Sequence, residues 1–164
     1  MSKSIILDAP ARIHLGFLDL SNQAERNFGS IGLTISKFKN VFEIKENNEF
    51  LIELKDKITQ QKIKKIFDTF SKLKKLKNCK IIVSQSIPQH IGLGSGTQLS
   101  LSIGYLISEF NNLNLSINEI SRISKRGLRS GIGIQSFKTG GFIVDSGKAK
   151  GSNSLPITIF NQKW

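Results

Sequence analysis

Hydrophobic and polar positions alternate along the first part of the chain with the period of β-strands. This pattern appears at residues 5–7 and 13–20, which an Ala-Pro-Ala segment separates, and again at residues 41–45 and 50–54. The last two stretches flank the polar segment Glu-Asn-Asn-Glu, which is typical of a β-hairpin. The sequence therefore predicts strands that pair mostly antiparallel.

The period changes to that of a helix over residues 59–77, where apolar side chains recur every three or four positions and lysines fill the other faces. A buried strand is predicted at 79–84, a helix around 99–110, and a further helix at 117–126. Ser116 and Glu119 form the capping-box pattern of that last helix, and Gly127 stops it. Strands follow at 142–145 and 155–160. Mixed strands and helices of this kind predict a two-layer α+β fold.

Composition limits the possible classes of protein. The 164 residues are 38% hydrophobic and 22% charged, which suits one domain with its own core. No apolar run approaches the ~20 residues that cross a bilayer, and the N-terminus lacks the pattern of a signal peptide. We therefore expect a cytoplasmic protein without a membrane partner. The single cysteine, Cys79, lies in an apolar run and is interpreted as a core residue.

The formal net charge is +12, and many lysines fall between residues 55 and 80. A solvated helix face explains most of them. Aromatic residues make up 8% of the chain and do not alternate with the basic residues as a base-stacking surface requires. Nucleic acid is therefore an unlikely partner, and a non-catalytic basic binding domain is kept as an alternative.

The strongest local signal is a loop with three alternating glycines, Gly92, Gly94 and Gly96, just before a predicted helix. Glycine amides approach an anion closely, and a helix N-terminus favours negative charge. Ser95 and Thr97 add hydroxyls that suit caps, phosphate donors or Mg²⁺ ligands. The simpler alternative is a glycine turn followed by an ordinary helix cap. The spacing matches neither a Walker loop nor a dinucleotide fingerprint.

These residues also carry a family resemblance. Residues 88–97, Pro-Gln-His-Ile-Gly-Leu-Gly-Ser-Gly-Thr, resemble the second motif of the GHMP kinases, and residues 9–16, Ala-Pro-Ala-Arg-Ile-His-Leu-Gly, resemble the first. Within that superfamily, the chain is most similar to the β-ribofuranosylaminobenzene 5′-phosphate synthases. The segments that carry this closer likeness are 12–19, 94–98, 126–133 and 140–145.

The resemblance implies a GHMP N-terminal domain over residues 1–164, of the ribosomal protein S5 domain 2 type, with a mixed, mostly antiparallel sheet and helices on one face. It implies a synthase that joins phosphoribosyl pyrophosphate to 4-hydroxybenzoate or 4-aminobenzoate, with loss of CO2 and pyrophosphate, in methanopterin biosynthesis. The C-terminal GHMP domain is absent from this chain, so we expect a second half on another chain, or a homodimer.

An ATP-binding GHMP small-molecule kinase is the alternative enzyme. Many of these kinases carry an aspartate that helps to deprotonate the acceptor. Here that position is Gly133, which has no side chain to act as a base.

The synthase reaction needs anion donors and Mg²⁺, and its substrates are small anions. His14 and Arg129 are the predicted catalytic residues. The predicted metal ligands are Asp145 and Thr97. The predicted substrate- and phosphate-binding residues are Gly92, Gly94, Ser95, Gly96, Thr97, Arg12, Arg126 and Ser130.

Overall fold

The longest strand, β3 (Ser30–Glu46), organises the sheet. It pairs antiparallel with β1 (Ser4–Phe17) on one side, and with β5 (Cys79–Gln85) and β6 (Phe142–Asp145) on the other. β4 (Leu51–Glu53) joins β5 in parallel, and β8 (Thr158–Gln162) joins β6 antiparallel. The computed structural model describes residues 3–21, 23, 25–152 and 154–163. Within them, β2 (Arg26–Asn27) and β7 (Lys148–Ala149) form a separate two-stranded sheet.

The helices form the second layer. α2 (Ser95–Phe110) packs on β1 and β3, and α4 (Ile132–Lys138) packs on β1, β3 and β6. α1 (Lys57–Ser71) and α3 (Ile117–Ile123) pack against α2. The predicted α+β fold, with a mostly antiparallel sheet and helices on one face, is confirmed. No helix among the described residues is long and apolar enough to span a membrane.

α2 lies at the centre of the core and is buried around most of its circumference. Its large buried side chains are Leu99, Leu101, Ile103, Leu106, Ile107 and Phe110, and serines and Gly104 fill the narrow contacts. Cys79 lies in the same core, as predicted, and burial raises the pKa of its thiol to about 12. A helix held this firmly fixes the position of its own N-terminus.

The face of the sheet opposite the helices carries apolar side chains. Cross-strand pairing aligns Ile13 with Leu33 and Leu33 with Phe142 in one row, and Ile31 with Val144 in the next. Phe160 extends the second row, since it pairs with Val144 and is 50% exposed. Because cross-strand neighbours share a face, these residues form one continuous apolar surface, called here the outer sheet face.

Several strand predictions are wrong in detail. β1 runs unbroken through the Ala-Pro-Ala segment, because a register shift between Pro10 and Ala11 accommodates the proline. The strand predicted to end at residue 20 ends at Phe17, and the last strand covers 158–162 instead of 155–160. The predicted hairpin does not form, because β5 lies between β3 and β4. β5 buries Cys79 and Ile81 and takes the interior position, which leaves the three-residue β4 at the edge.

The helix predictions err mainly at the ends. α1 ends at Ser71 instead of 77, because the chain must turn into β5, and the side chain of Asn111 accepts a hydrogen bond from the amide of Lys77 there. α3 has the predicted capping box but ends at Ile123, since Lys125 adopts a left-handed φ of 53°. α4 was not predicted, because Gly131 at its N-cap and Gly133 inside it obscure the period of a seven-residue helix.

We expect Gly104→Ala to lower the free energy of unfolding by about 1–3 kcal/mol, because the α1–α2–α3 contact has no room for a methyl group. A Cβ at Gly104 would lie 2.6 Å from Cγ2 of Ile120 and 2.9 Å from Cζ of Phe70. Urea unfolding measures the change. Gly96→Ala in the same helix is the control, since its Cβ would meet nothing closer than 3.8 Å, the distance to Arg126. Equal losses in both variants would contradict this packing.

Candidate phosphate-binding site

Residues 89–96, called here the glycine loop, lie between β5 and α2 and include the first two residues of α2. The backbone angle φ is positive at His90 (62°), Gly92 (82°) and Gly94 (72°), and it is not positive at the residues between them. Such alternation turns successive amides toward one concave side, where they can hold an anion. Among the described residues, none accepts a hydrogen bond from the amides of 90–96, and the first engaged amides are those of Thr97 and Gln98, both on the carbonyl of Gly94.

Arg12 on β1 donates hydrogen bonds to two carbonyl groups of this loop. Its amide donates to the carbonyl of Leu93 and its Nη1 to the carbonyl of Gly92, both at 3.2 Å. Two carbonyls of the loop are therefore engaged by Arg12 while the amides stay free. The Nε atom of Arg12 is buried and has no hydrogen-bond partner within the described part of the chain, and burial lowers the pKa of this guanidinium. The site thus contains a half-buried cation with no counter-charge among the described residues.

Gly133, at the start of α4, faces both the loop and Arg12. A Cβ at this position would lie 2.8 Å from Cγ2 of Thr97 and 3.8 Å from Nε of Arg12. The carbonyl of Gly133 accepts a hydrogen bond from Nε2 of Gln98 at 2.9 Å, which ties α4 to α2. A carboxylate at position 133 would lie beside Arg12, and glycine leaves that cation unneutralised.

Asp145 is fully buried and organises the turn before α4. Its Oδ1 accepts from the amides of Ser30 and Gly147, and its Oδ2 accepts from the amide of Gly131 and from the hydroxyls of Ser30 and Ser130. A carboxylate has about four lone-pair sites, so these donors occupy it. The magnesium role predicted for Asp145 gains no support from this geometry. Across the described residues, no group of three His, Cys, Asp or Glu side chains is placed to hold a metal ion.

His14 lies two residues beyond Arg12 on the same strand, with its ring centroid 4.6 Å from that of Phe17. Its Nε2 is buried and has no hydrogen-bond partner in the described ranges. Burial and then the charge of Arg12 lower the pKa of His14, and Asp145 opposes them. Burial and Arg12 therefore favour the neutral imidazole. Its catalytic role stays a prediction.

The two other predicted arginines have different positions. Arg126 reaches the loop: its Nε donates to the hydroxyl of Ser100 at 3.1 Å, and its guanidinium lies 3.8 Å from where a Cβ of Gly96 would be. Arg129 is exposed and forms no hydrogen bond or ion pair with the described residues. The fold thus brings Arg12 and Arg126 to the loop from opposite sides and leaves Arg129 in the turn before α4.

A cavity of about 490 Å³ lies beside the loop, between α1, the first turns of α2 and the end of α3. It is called here the α1–α3 cavity. Four cations line it: Lys62, Lys65, Lys125 and Arg126. The sequence analysis assigned the lysines of α1 to a solvated helix face and did not predict that two of them line a cavity. The available signal was that Lys62 and Lys65 share a helix face with Ile66, at spacings of three and four.

The comparisons with known proteins identify the family. The family model described as GHMP kinases N terminal domain matches residues 61–142, half of the chain. The chain therefore belongs to the GHMP kinases through their N-terminal domain. Solved members share the fold: phosphomevalonate kinase of Streptococcus pneumoniae has a TM-score of 0.65 at 13% identity, covering 88% of this chain and 48% of its own. Mevalonate kinase of Methanococcus jannaschii has a TM-score of 0.60 at 20% identity, covering 87% and 53%.

Curated relatives are more similar in sequence. The beta-ribofuranosylphenol 5'-phosphate synthase of Methanocaldococcus jannaschii is 35% identical over 158 residues, which cover 90% of this chain and 48% of the relative. The synthase of the same name from Methanothermobacter thermautotrophicus is 32% identical over 92% of this chain and 48% of the relative. The resemblance inferred from the motifs is thus confirmed. The chain spans about half the length of the curated relatives that it matches.

We expect Gly94→Ala to weaken pyrophosphate binding by roughly tenfold or more, because a methyl group there combines a left-handed backbone with a clash against Arg12. The Cβ would lie 2.8 Å from Nε of Arg12. Gly92→Ala is the matched control, since its φ is also positive but nothing lies within 4 Å. Calorimetric titration with pyrophosphate measures both. Equal effects would show that Arg12 does not shape the loop.

Acid pH should destabilise the protein partly through His14. Its pKa is lower in the folded chain than the ordinary value near 6.5, so the unfolded chain binds more protons as pH falls below that value. The free energy of unfolding therefore decreases with falling pH in this range. Urea unfolding between pH 7 and 5 should show a shallower decrease for His14→Gln than for wild type. An unchanged slope in His14→Gln would contradict the expectation.

Proposed function

We propose that this chain is the phosphate-binding half of an enzyme that makes a ribofuranosylphenol 5′-phosphate. It would transfer phosphoribosyl from phosphoribosyl pyrophosphate to 4-hydroxybenzoate, releasing CO2 and pyrophosphate, in methanopterin biosynthesis. The observation that carries the proposal is the row of free amides in the glycine loop beside the unneutralised Arg12. The name of the relatives favours 4-hydroxybenzoate over 4-aminobenzoate, because a phenol retains the hydroxyl.

The proposed reaction needs positive charge and hydrogen-bond donors near the leaving pyrophosphate, and Arg12 and the loop amides carry them. The bond between the anomeric carbon and pyrophosphate breaks, and pyrophosphate leaves with the electron pair. The ring carbon that bears the carboxylate bonds to the anomeric carbon, and the electrons of the carbon–carboxylate bond restore the aromatic ring as CO2 departs. Free amides and Arg12 would stabilise the charge that grows on pyrophosphate. No net proton is consumed.

The alternative, a kinase with ATP as donor, is less well supported by the same residues. Gly133 provides no base, and Thr97 occupies the space next to it. Magnesium enters the proposal as the counter-ion that a pyrophosphate group carries, because Mg²⁺ usually binds through substrate phosphates with few protein ligands. Thr97 at the loop is the remaining candidate ligand.

The proposed enzyme has a second half, because the relatives are about twice as long as the region that aligns with this chain. The outer sheet face is the surface we assign to it. Phe160 on this face is 50% exposed, and clustered apolar side chains there favour a protein partner over water. A second copy of this chain on the same face is the outcome that would replace this assignment.

The direct test supplies the chain, together with the half that follows the aligned region in its relatives, with phosphoribosyl pyrophosphate and carboxyl-labelled 4-hydroxybenzoate. The proposal predicts labelled CO2 and pyrophosphate in equal amounts. Formation of ADP from ATP with an alcohol acceptor, and no labelled CO2, would establish the kinase alternative instead.

We expect Gly133→Asp to weaken pyrophosphate binding roughly tenfold or more, because the new carboxylate would pair with Arg12 and repel the anion. Gly133→Ala is the control, since it places the same Cβ 2.8 Å from Thr97 without adding charge. Calorimetry with pyrophosphate at two salt concentrations separates the steric from the electrostatic loss. If both variants bind equally well, Arg12 does not contribute its charge to the site.

A further inference from the structure

The charged side chains that line the α1–α3 cavity are all cations. Of the described residues, no acidic side chain lines it, whereas Lys62, Lys65, Lys125 and Arg126 do. The nearby ion pair of α1, Lys64 with Asp68, lies outside the cavity. Cations gathered without a counter-charge favour an anionic ligand.

The cavity is also apolar at its base, which distinguishes it from the glycine loop. Phe70 and Leu99 are buried there, and Ile66 and Ile123 complete the apolar lining. Its volume of about 490 Å³ lies within the range of small-molecule sites, roughly 300–1,000 Å³. A sugar phosphate would place hydroxyls on this apolar surface and gain little there. A flat ring with one anionic group would place its ring on the apolar base and its anionic group beside the cations.

The cavity and the glycine loop are physically connected. Gly96 belongs to both, and Arg126 lies at their boundary, 3.8 Å from where a Cβ of Gly96 would be. Nζ of Lys62 donates a hydrogen bond to Oε1 of Gln89, the first residue of the loop. The hydroxyl of Ser124, which also lines the cavity, is buried and has no hydrogen-bond partner among the described residues. A ligand here would lie next to phosphates held by the loop.

We propose that the α1–α3 cavity is the subsite for the aromatic carboxylate acceptor. The ring lies against Ile66 and Leu99, and the carboxylate faces the cations, with Arg126 on the side of the glycine loop. This inference rests on the proposed function, since it assigns the acceptor of that reaction to a place beside the pyrophosphate. It divides the site in two: the loop binds the donor, and the cavity binds the acceptor.

The test is a calorimetric titration of the full chain with 4-hydroxybenzoate, phenol and acetate. Phenol has the ring without the carboxylate, and acetate has the carboxylate without the ring. We expect both to bind roughly tenfold or more weakly than 4-hydroxybenzoate. Binding of acetate as strong as that of 4-hydroxybenzoate would overturn the aromatic assignment.

Variants of α1 locate the binding. Lys65→Glu should weaken 4-hydroxybenzoate binding roughly tenfold, because it reverses a charge that lines the cavity. Lys64→Glu, the adjacent residue outside the cavity, should change it less than about twofold, since exposed charges are screened. Ile66→Trp, which fills the cavity, should abolish 4-hydroxybenzoate binding and leave pyrophosphate binding intact. Equal effects of the two lysine variants would overturn the proposal.

Two further outcomes separate the inference from the proposed function. If ribose 5-phosphate binds and Ile66→Trp blocks it, the cavity is a sugar-phosphate subsite and the inference fails, while the decarboxylation assay can still succeed. If 4-hydroxybenzoate binds the cavity as described but the assembled enzyme releases no labelled CO2, the proposed function fails and the aromatic carboxylate site stands.

Discussion

The contact between Arg12 and the glycine loop is the constraint on which the site depends. β1 places Arg12 opposite Thr34 of β3, near the middle of the sheet, and the core fixes α2 so that its first turn meets the same point. The guanidinium engages the carbonyl of Gly92 and leaves the loop amides free. This arrangement needs glycine at 94, because any side chain there would displace the guanidinium.

The absence of a carboxylate at position 133 leaves Arg12 without a neighbouring base or counter-charge at that position. In a kinase of this superfamily, an aspartate there would serve as a base and would neutralise a neighbouring cation. Gly133 provides neither effect, and partial burial of Arg12, which lowers the pKa of its guanidinium, disfavours its unpaired charge. A bound anion would pair with that charge. The fold itself is shared with neighbours that are only 13% and 20% identical.

Sequence reasoning succeeded where the signal was local. The alternating glycines, the capping box at Ser116 and the burial of Cys79 depend on neighbours within a few residues, and each is found as predicted. It failed where distant segments compete. The choice between β4 and β5 as the neighbour of β3 depends on which strand buries more apolar surface, and this cannot be read from the turn between β3 and β4. The cationic lining of the α1–α3 cavity was missed because it requires α1 and the end of α3 to meet.

The central claim is that the backbone amides of the glycine loop bind the phosphates of a small metabolite. Amide chemical shifts of the ¹⁵N-labelled chain, recorded while pyrophosphate is added, test it most directly. The account predicts large, saturable shifts at Gly92, Gly94 and Gly96, with smaller ones along α1. Shifts confined to the lysine-rich surface of α1, with the three glycine amides unmoved at saturation, would contradict it.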